Sequence, residues 1–72
     1  MKLTRHARNR LRWIARRHRG VTPEAVTEAL PGADTIGYDD RGNRKVRAVI
    51  GGTRVTVVVD EAADVVVTIW VE

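Results

Sequence analysis

The sequence predicts an α+β fold, with two N-terminal helices packed on one face of a four-stranded antiparallel β-meander. Three observations predict it. Apolar residues recur at helical spacing from Leu3 to Leu30. After Gly32 the period falls to two. Turn residues then divide the rest of the chain into four short runs rich in β-branched residues. A chain of 72 residues holds one small domain and buries only about 60% of its unfolded surface.

The first helix is predicted over about Arg5 to Arg19. Leu3, Ala7, Leu11, Ile14, Ala15 and His18 form one stripe along it. Thr4 is placed to cap it and Gly20 to end it. The second helix is predicted over 23–30. Thr22 caps, Pro23 suits the first position, and Glu24 complements the positive helix end. Leu30-Pro31-Gly32 stops it.

Strands are predicted over about 35–39, 44–50, 53–60 and 65–71. Gly51-Gly52 reads as a two-residue hairpin turn. That turn sets Arg47 opposite Thr56 and Ala48 opposite Val55. Val46, Val55 and Val57 then face the core, with Arg47, Val49, Arg54, Thr56 and Val58 on the other face. The face of Thr68 depends on the 60–64 turn. An even loop pairs it with the Val57 face, and an odd loop or a bulge sets it beside Arg47 and Thr56.

Charge is distributed unevenly. The formal net charge is +4, but residues 1–19 carry eight basic side chains and no acid. The remainder carries five basic and nine acidic side chains. A segment so basic suits a polyanionic partner, most often nucleic acid. On a helical wheel Arg5, Arg8, Arg12, Arg16 and Arg19 follow one flank, and His6, Arg10, Trp13 and Arg17 follow the other. The first flank is read either as a solvated face or as a phosphate-binding face. Five like charges without an acid at i+4 repel, which favours the second. Arg17, Arg44, Lys45 and Arg54 add to the RNA-binding set.

His6 beside several Arg groups suits phosphodiester cleavage, in which the imidazole moves protons and guanidinium groups stabilise phosphoryl charge. Otherwise His6 is a surface residue. His18 reads as structural, Trp13 as half-buried packing with base stacking as its other use, and Trp70 as sheet packing. The acid pairs Asp39/Asp40 and Asp60/Glu61 sit in turns and do not read as a metal site. No motif asks for a cofactor, and with no Cys there is neither a disulfide nor thiolate chemistry. No apolar run matches a membrane span, and no apolar segment follows the basic N-terminus. The expected location is cytoplasmic.

The opening Thr4-Arg5-His6-Ala7-Arg8-Asn9-Arg10 resembles the "T-x-H-A-x-x-R" start of the small bacterial domains of unknown function 4258. Arg19-Gly20-Val21-Thr22-Pro23-Glu24-Ala25-Val26 resembles their "R-G-I-S-x-E-x-V" step, and Val66-Val67-Thr68-Ile69 their closing "V-V-T-V". The likeness spans nearly the whole chain, with Leu11 to His18 lengthening the first helix by about one turn. It implies the fold of RelE/ParE, barnase, EndoU and colicin-type nucleases. It also implies a metal-independent endoribonuclease of the kind found as the toxin of toxin–antitoxin pairs. By the same likeness His6 is the general base or acid, Arg10 and Arg47 stabilise the pentavalent phosphate, and Thr68 orients it. The implied partners are RNA or the ribosome and an acidic antitoxin, for a monomer or weak homodimer. Two other functions fit the charge: a non-catalytic nucleic-acid-binding module, and a domain docking an acidic protein through its Arg-rich helix.

Overall fold

The computed structural model describes residues 1–72. The elements run β1 (Lys2–Leu3), α1 (Arg5–Ala15), α2 (Pro23–Ala29), a 3₁₀ turn (Leu30–Gly32), β2 (Asp34–Tyr38), β3 (Arg44–Ile50), β4 (Thr53–Asp60) and β5 (Val65–Val71). The expected four-stranded antiparallel meander is not the sheet that forms. The sheet has five strands in the order β1-β5-β4-β3-β2, and it is mixed. β1 runs parallel to β5, with Lys2 beside Val65 and Leu3 beside Val66. A two-residue strand carries no alternation, so hydrophobic patterning cannot reveal it. Leu3 thereby belongs to the sheet and not to the helical stripe.

α1 is also shorter than its pattern. It ends at Ala15, not Arg19. The amides of Arg17 and His18 both turn back to the Ile14 carbonyl, at 3.1 and 2.9 Å. Beyond that turn the chain is anchored to the β3–β4 hairpin. His18 Nδ1 lies 3.2 Å from Thr53 Oγ1, and Gly20 packs directly on Gly51. Tertiary anchoring outweighs the good helix propensity of Arg16, Arg17 and Arg19. α2 begins as its residues dictate: the Thr22 hydroxyl accepts from the Ala25 amide, and Pro23 opens the first turn. It gives way at Leu30 to the 3₁₀ turn, where Pro31 follows.

One core joins the layers. Ala7 and Leu11 of α1, with Val26 of α2 and Leu30, meet Val46, Ile50, Val55, Val57, Val59, Val66 and Ile69 of the sheet. Each fully buried Val or Ile contributes about 1.5–3 kcal/mol before chain entropy is set against it. α1 lies along β5 and α2 along β3.

The bulge on β5 fixes the site. Val58 faces Thr68, but the adjacent Val59 faces Val66, so Val67 is an extra residue. The slip carries Thr68 to the face of Thr56 and Trp70. That face is not simply solvated: Thr56 and Val58 are only 3% and 4% exposed. Lys45 and Thr68 flank Val58 across the strands, and Arg47 and Trp70 flank Thr56. These flanking side chains cover the face.

Candidate functional site

Past Leu3 the outer edge of β5 has no strand beside it. Unpaired carbonyls on an edge need donors, and here α1 supplies them. The Thr4 hydroxyl donates to the Val67 carbonyl at 2.8 Å while accepting from the Ala7 amide at 3.0 Å. Arg10 Nε donates to the Ile69 carbonyl at 2.8 Å. Between them His6 Nε2 lies 2.9 Å from Thr68 Oγ1. Thr4, His6 and Arg10 therefore dock one helix flank on one strand edge. The docked flank leaves His6 and Arg10 exposed, so an imidazole held by a hydroxyl stands at the surface beside a guanidinium.

The structure brings together His6, Arg10 and Thr68 but not Arg47. Thr68 is in the cross-strand row of Val58 and Lys45, whereas Arg47 is in the next row with Thr56 and Trp70. Two strand spacings and a two-residue step separate Arg47 from Thr68, about 12 Å between Cα atoms. Arg47 Nε instead donates to both carboxylate oxygens of Glu72, at 3.0 and 2.8 Å. Thr56 Oγ1 donates to Glu72 Oε2 at 2.7 Å. The sequence offered little to single out Glu72. It stands on the Thr68 face only because of the bulge, and a strand-end acid is otherwise unremarked. Lys45, in the Thr68 row, is the basic group of β3 closer to His6.

The Thr68 hydroxyl meets the imidazole, so it positions His6.

The remaining basic residues divide by location. Arg5, Arg8 and Arg12 are exposed on α1. Arg8 and Arg12 border an open groove with Leu11, Val21 and Pro23. Trp13 is 68% exposed and not half-buried as expected. The Arg16 guanidinium stacks 4.5 Å from its ring centre, a contact of about 0.5–1 kcal/mol at an exposed site. Arg17 and Arg19 lie in the turn after α1, not on its flank. Arg44 lies on the core side of β3. Its terminal nitrogen donates to Thr35 at 2.9 Å. Its Nε is 3.2 Å from Glu61 but poorly aligned, and makes no hydrogen bond. Arg54 is exposed on β4 beside Glu72. The largest surface depression borders Arg47, Arg54, Asp34 and Glu28, away from His6.

The three ion pairs are Met1 amine–Asp64, Arg44–Glu61 and Arg47–Glu72. None uses Arg5, Arg8, Arg10, Arg12, Arg16, Arg17 or Arg19. These seven guanidinium groups thus make no ion pair within the chain. The turn acids are structural: Asp39 accepts from the Arg41 and Asn43 amides, and Asp60 from the Ala63 amide. No helix is long and apolar enough to cross a membrane.

Two carboxyls are held below their ordinary values. Hydrogen bonds from Arg47 and then Thr56 lower Glu72 from 4.5, and the hydrogen bond to Glu72 raises Arg47. Desolvation pushes Asp39 up, but bonds from Asn43 and Arg41 outweigh it and leave it below 3.8. A depressed carboxyl contributes stability that is present above its unfolded value and is lost as pH falls through its folded value. Urea unfolding midpoints will therefore fall as pH drops below about 4.5, and Glu72→Gln will flatten that fall. A Glu72→Gln profile parallel to the wild type would contradict the assignment.

Comparison with known protein families, with curated proteins and with solved structures finds no match to this chain.

Proposed function

We propose that this chain is a toxin-like endoribonuclease that binds RNA through α1 and cleaves it at His6 without a metal ion. The observation that carries the reading is the His6–Thr68 pair at the exposed β5 edge, with Arg10 beside it and no acid pairing the helix. In the reaction the substrate 2′-oxygen bonds to the adjacent phosphorus and the bond to the 5′-oxygen breaks. His6 accepts the 2′-hydroxyl proton, and water protonates the leaving oxygen. Arg10 is fixed through its Nε, so its outer nitrogens face the charge that develops on the phosphoryl oxygens. Arg5, Arg8 and Arg12 hold the backbone, and the exposed Trp13 offers a ring on which a base stacks. Arg47, engaged by Glu72, is outside this catalytic group.

The test is incubation with single-stranded RNA in EDTA, beside a binding titration at several salt concentrations. Cleavage together with salt-dependent binding supports the reading. Arg8→Ala with Arg12→Ala will reduce the slope of log affinity against log salt by about 1.4, at about 0.7 per lost phosphate contact. Binding without cleavage would leave a nucleic-acid-binding module, which the sequestered Arg47 favours. An absence of binding would overturn both.

A further inference from the structure

We propose that Arg47, Thr56 and Arg54 form a second phosphodiester-binding site, which Glu72 of the same chain holds closed. The proposal rests on the RNA-binding reading above and extends it to the open face of the sheet.

The Glu72 carboxylate accepts a bifurcated hydrogen bond from the single Arg47 Nε–H and a second bond from Thr56 Oγ1. Thr56 is the only buried polar residue, at 3% exposure, and its hydroxyl donates to this carboxylate. A buried hydroxyl beside a guanidinium is an acceptor-seeking site, and a phosphate presents the same pair of oxygens as a carboxylate. Glu72 is held in place by its own amide, which donates to the Arg54 carbonyl at 3.1 Å. The Arg54 side chain adds attraction from β4. The Arg47 side chain remains 47% exposed, so an incoming anion can reach it. The depression beside Arg47 and Arg54 gives that anion an approach.

The charged groups around the site are few. Lys45 is on β3, Arg47 and Arg54 are in the site, Asp34 faces Arg47 from β2, and Glu28 borders the depression from α2. Of the acids, only Glu72 accepts hydrogen bonds from the site. Glu72 therefore stands where a phosphate would stand, and RNA must displace it to bond both Arg47 Nε and Thr56 Oγ1. In the resting protein the α1 surface is open to RNA and the sheet surface is closed.

The experiment titrates a fluorescein-labelled single-stranded RNA into wild type, Glu72→Gln, Asp40→Asn, Arg47→Ala and the Arg47→Ala/Glu72→Gln double variant, at matched salt. Asp40 is exposed and makes no hydrogen bond or ion pair, so its variant reports the loss of one charge alone. Glu72→Gln will bind about tenfold tighter than wild type, the size of one charge-assisted contact, against less than about twofold for Asp40→Asn. Its salt slope will steepen by about 0.7, one added phosphate contact. Arg47→Ala will abolish the gain. Thermal unfolding of each variant confirms that all are folded at the assay temperature. Equal affinities for Glu72→Gln and Asp40→Asn, or a gain that survives Arg47→Ala, would overturn the proposal while wild-type binding through α1 stands. RNA binding by none of the proteins would overturn the RNA reading as well.

Discussion

His6→Ala will slow RNA cleavage by about 10²–10⁴-fold, the usual contribution of a positioned proton-transfer group. That range corresponds to about 3–5.5 kcal/mol in the activation barrier. The fold will survive the change. His6 is exposed and makes one side-chain hydrogen bond, to Thr68. Its loss costs about 0.5–1.5 kcal/mol. The edge of β5 stays closed by Thr4 and Arg10. Affinity for RNA will change little, because the helix Arg residues remain. Thr68→Val keeps the imidazole but removes its partner, and will lower the rate by less than His6→Ala does. If His6→Ala cleaved at the wild-type rate, the pair would be a docking contact only, like its neighbours Thr4 and Arg10.

Gly51→Ala will be the most damaging single substitution outside the core. Gly51 has φ +58°, where a side chain is strained, and an added Cβ would lie 2.8 Å from Gly20 Cα. The obstacle is backbone, so neither partner can give way without moving the α1–α2 turn off the hairpin. Together these effects cost about 2–4 kcal/mol, a large share of the about 5 kcal/mol expected of so small a domain. The melting midpoint will fall by about 10–25 °C. Gly52→Ala is the internal comparison. It shares the left-handed backbone, at φ +79°, but a Cβ there meets nothing within 4 Å. Its cost is the backbone strain alone, about 1 kcal/mol. Equal losses for the two variants would show that the Gly20–Gly51 contact contributes nothing.

That contact also explains where the sequence is legible and where it is not. Spacing across Gly51-Gly52 is enough to set Arg47 opposite Thr56, because a two-residue turn allows one register. The same spacing says nothing of Gly20, whose contact with Gly51 is tertiary and ends α1 four residues early. Local caps are legible too: Thr4 and Thr22 bond the amides that their positions predict. The parallel β1 is not legible, since Lys2 and Leu3 are too few to show a period. Its absence from the pattern produced a four-stranded antiparallel sheet where a five-stranded mixed one forms.

The candidate site divides in the same way. His6 and Arg10 share a helix flank by spacing alone, but nothing in that spacing points to β5. Only the Val67 bulge makes Thr68 their partner. The bulge was one of two alternatives in the sequence, and backbone pairing decides between them. Arg47 was grouped with His6 through family likeness. Its neighbours in the fold, Thr56 and Glu72, are reached by alternation along β4 and β5 once the bulge is known. Trp13 is exposed although its wheel position borders the apolar stripe, because the core closes on Ala7 and Leu11 without it.

The central claim is that His6, set on the β5 edge by Thr68, takes the proton of an RNA 2′-hydroxyl as that oxygen attacks phosphorus. Identification of the ends formed when the protein is incubated with a defined single-stranded RNA in EDTA tests it most directly. The account predicts 2′,3′-cyclic phosphate and 5′-hydroxyl ends from the wild type, at least about a hundredfold fewer from His6→Ala, and none at a position where the 2′-hydroxyl is replaced by hydrogen. RNA left intact by the wild type, or cut to 5′-phosphate and 3′-hydroxyl ends, would contradict it.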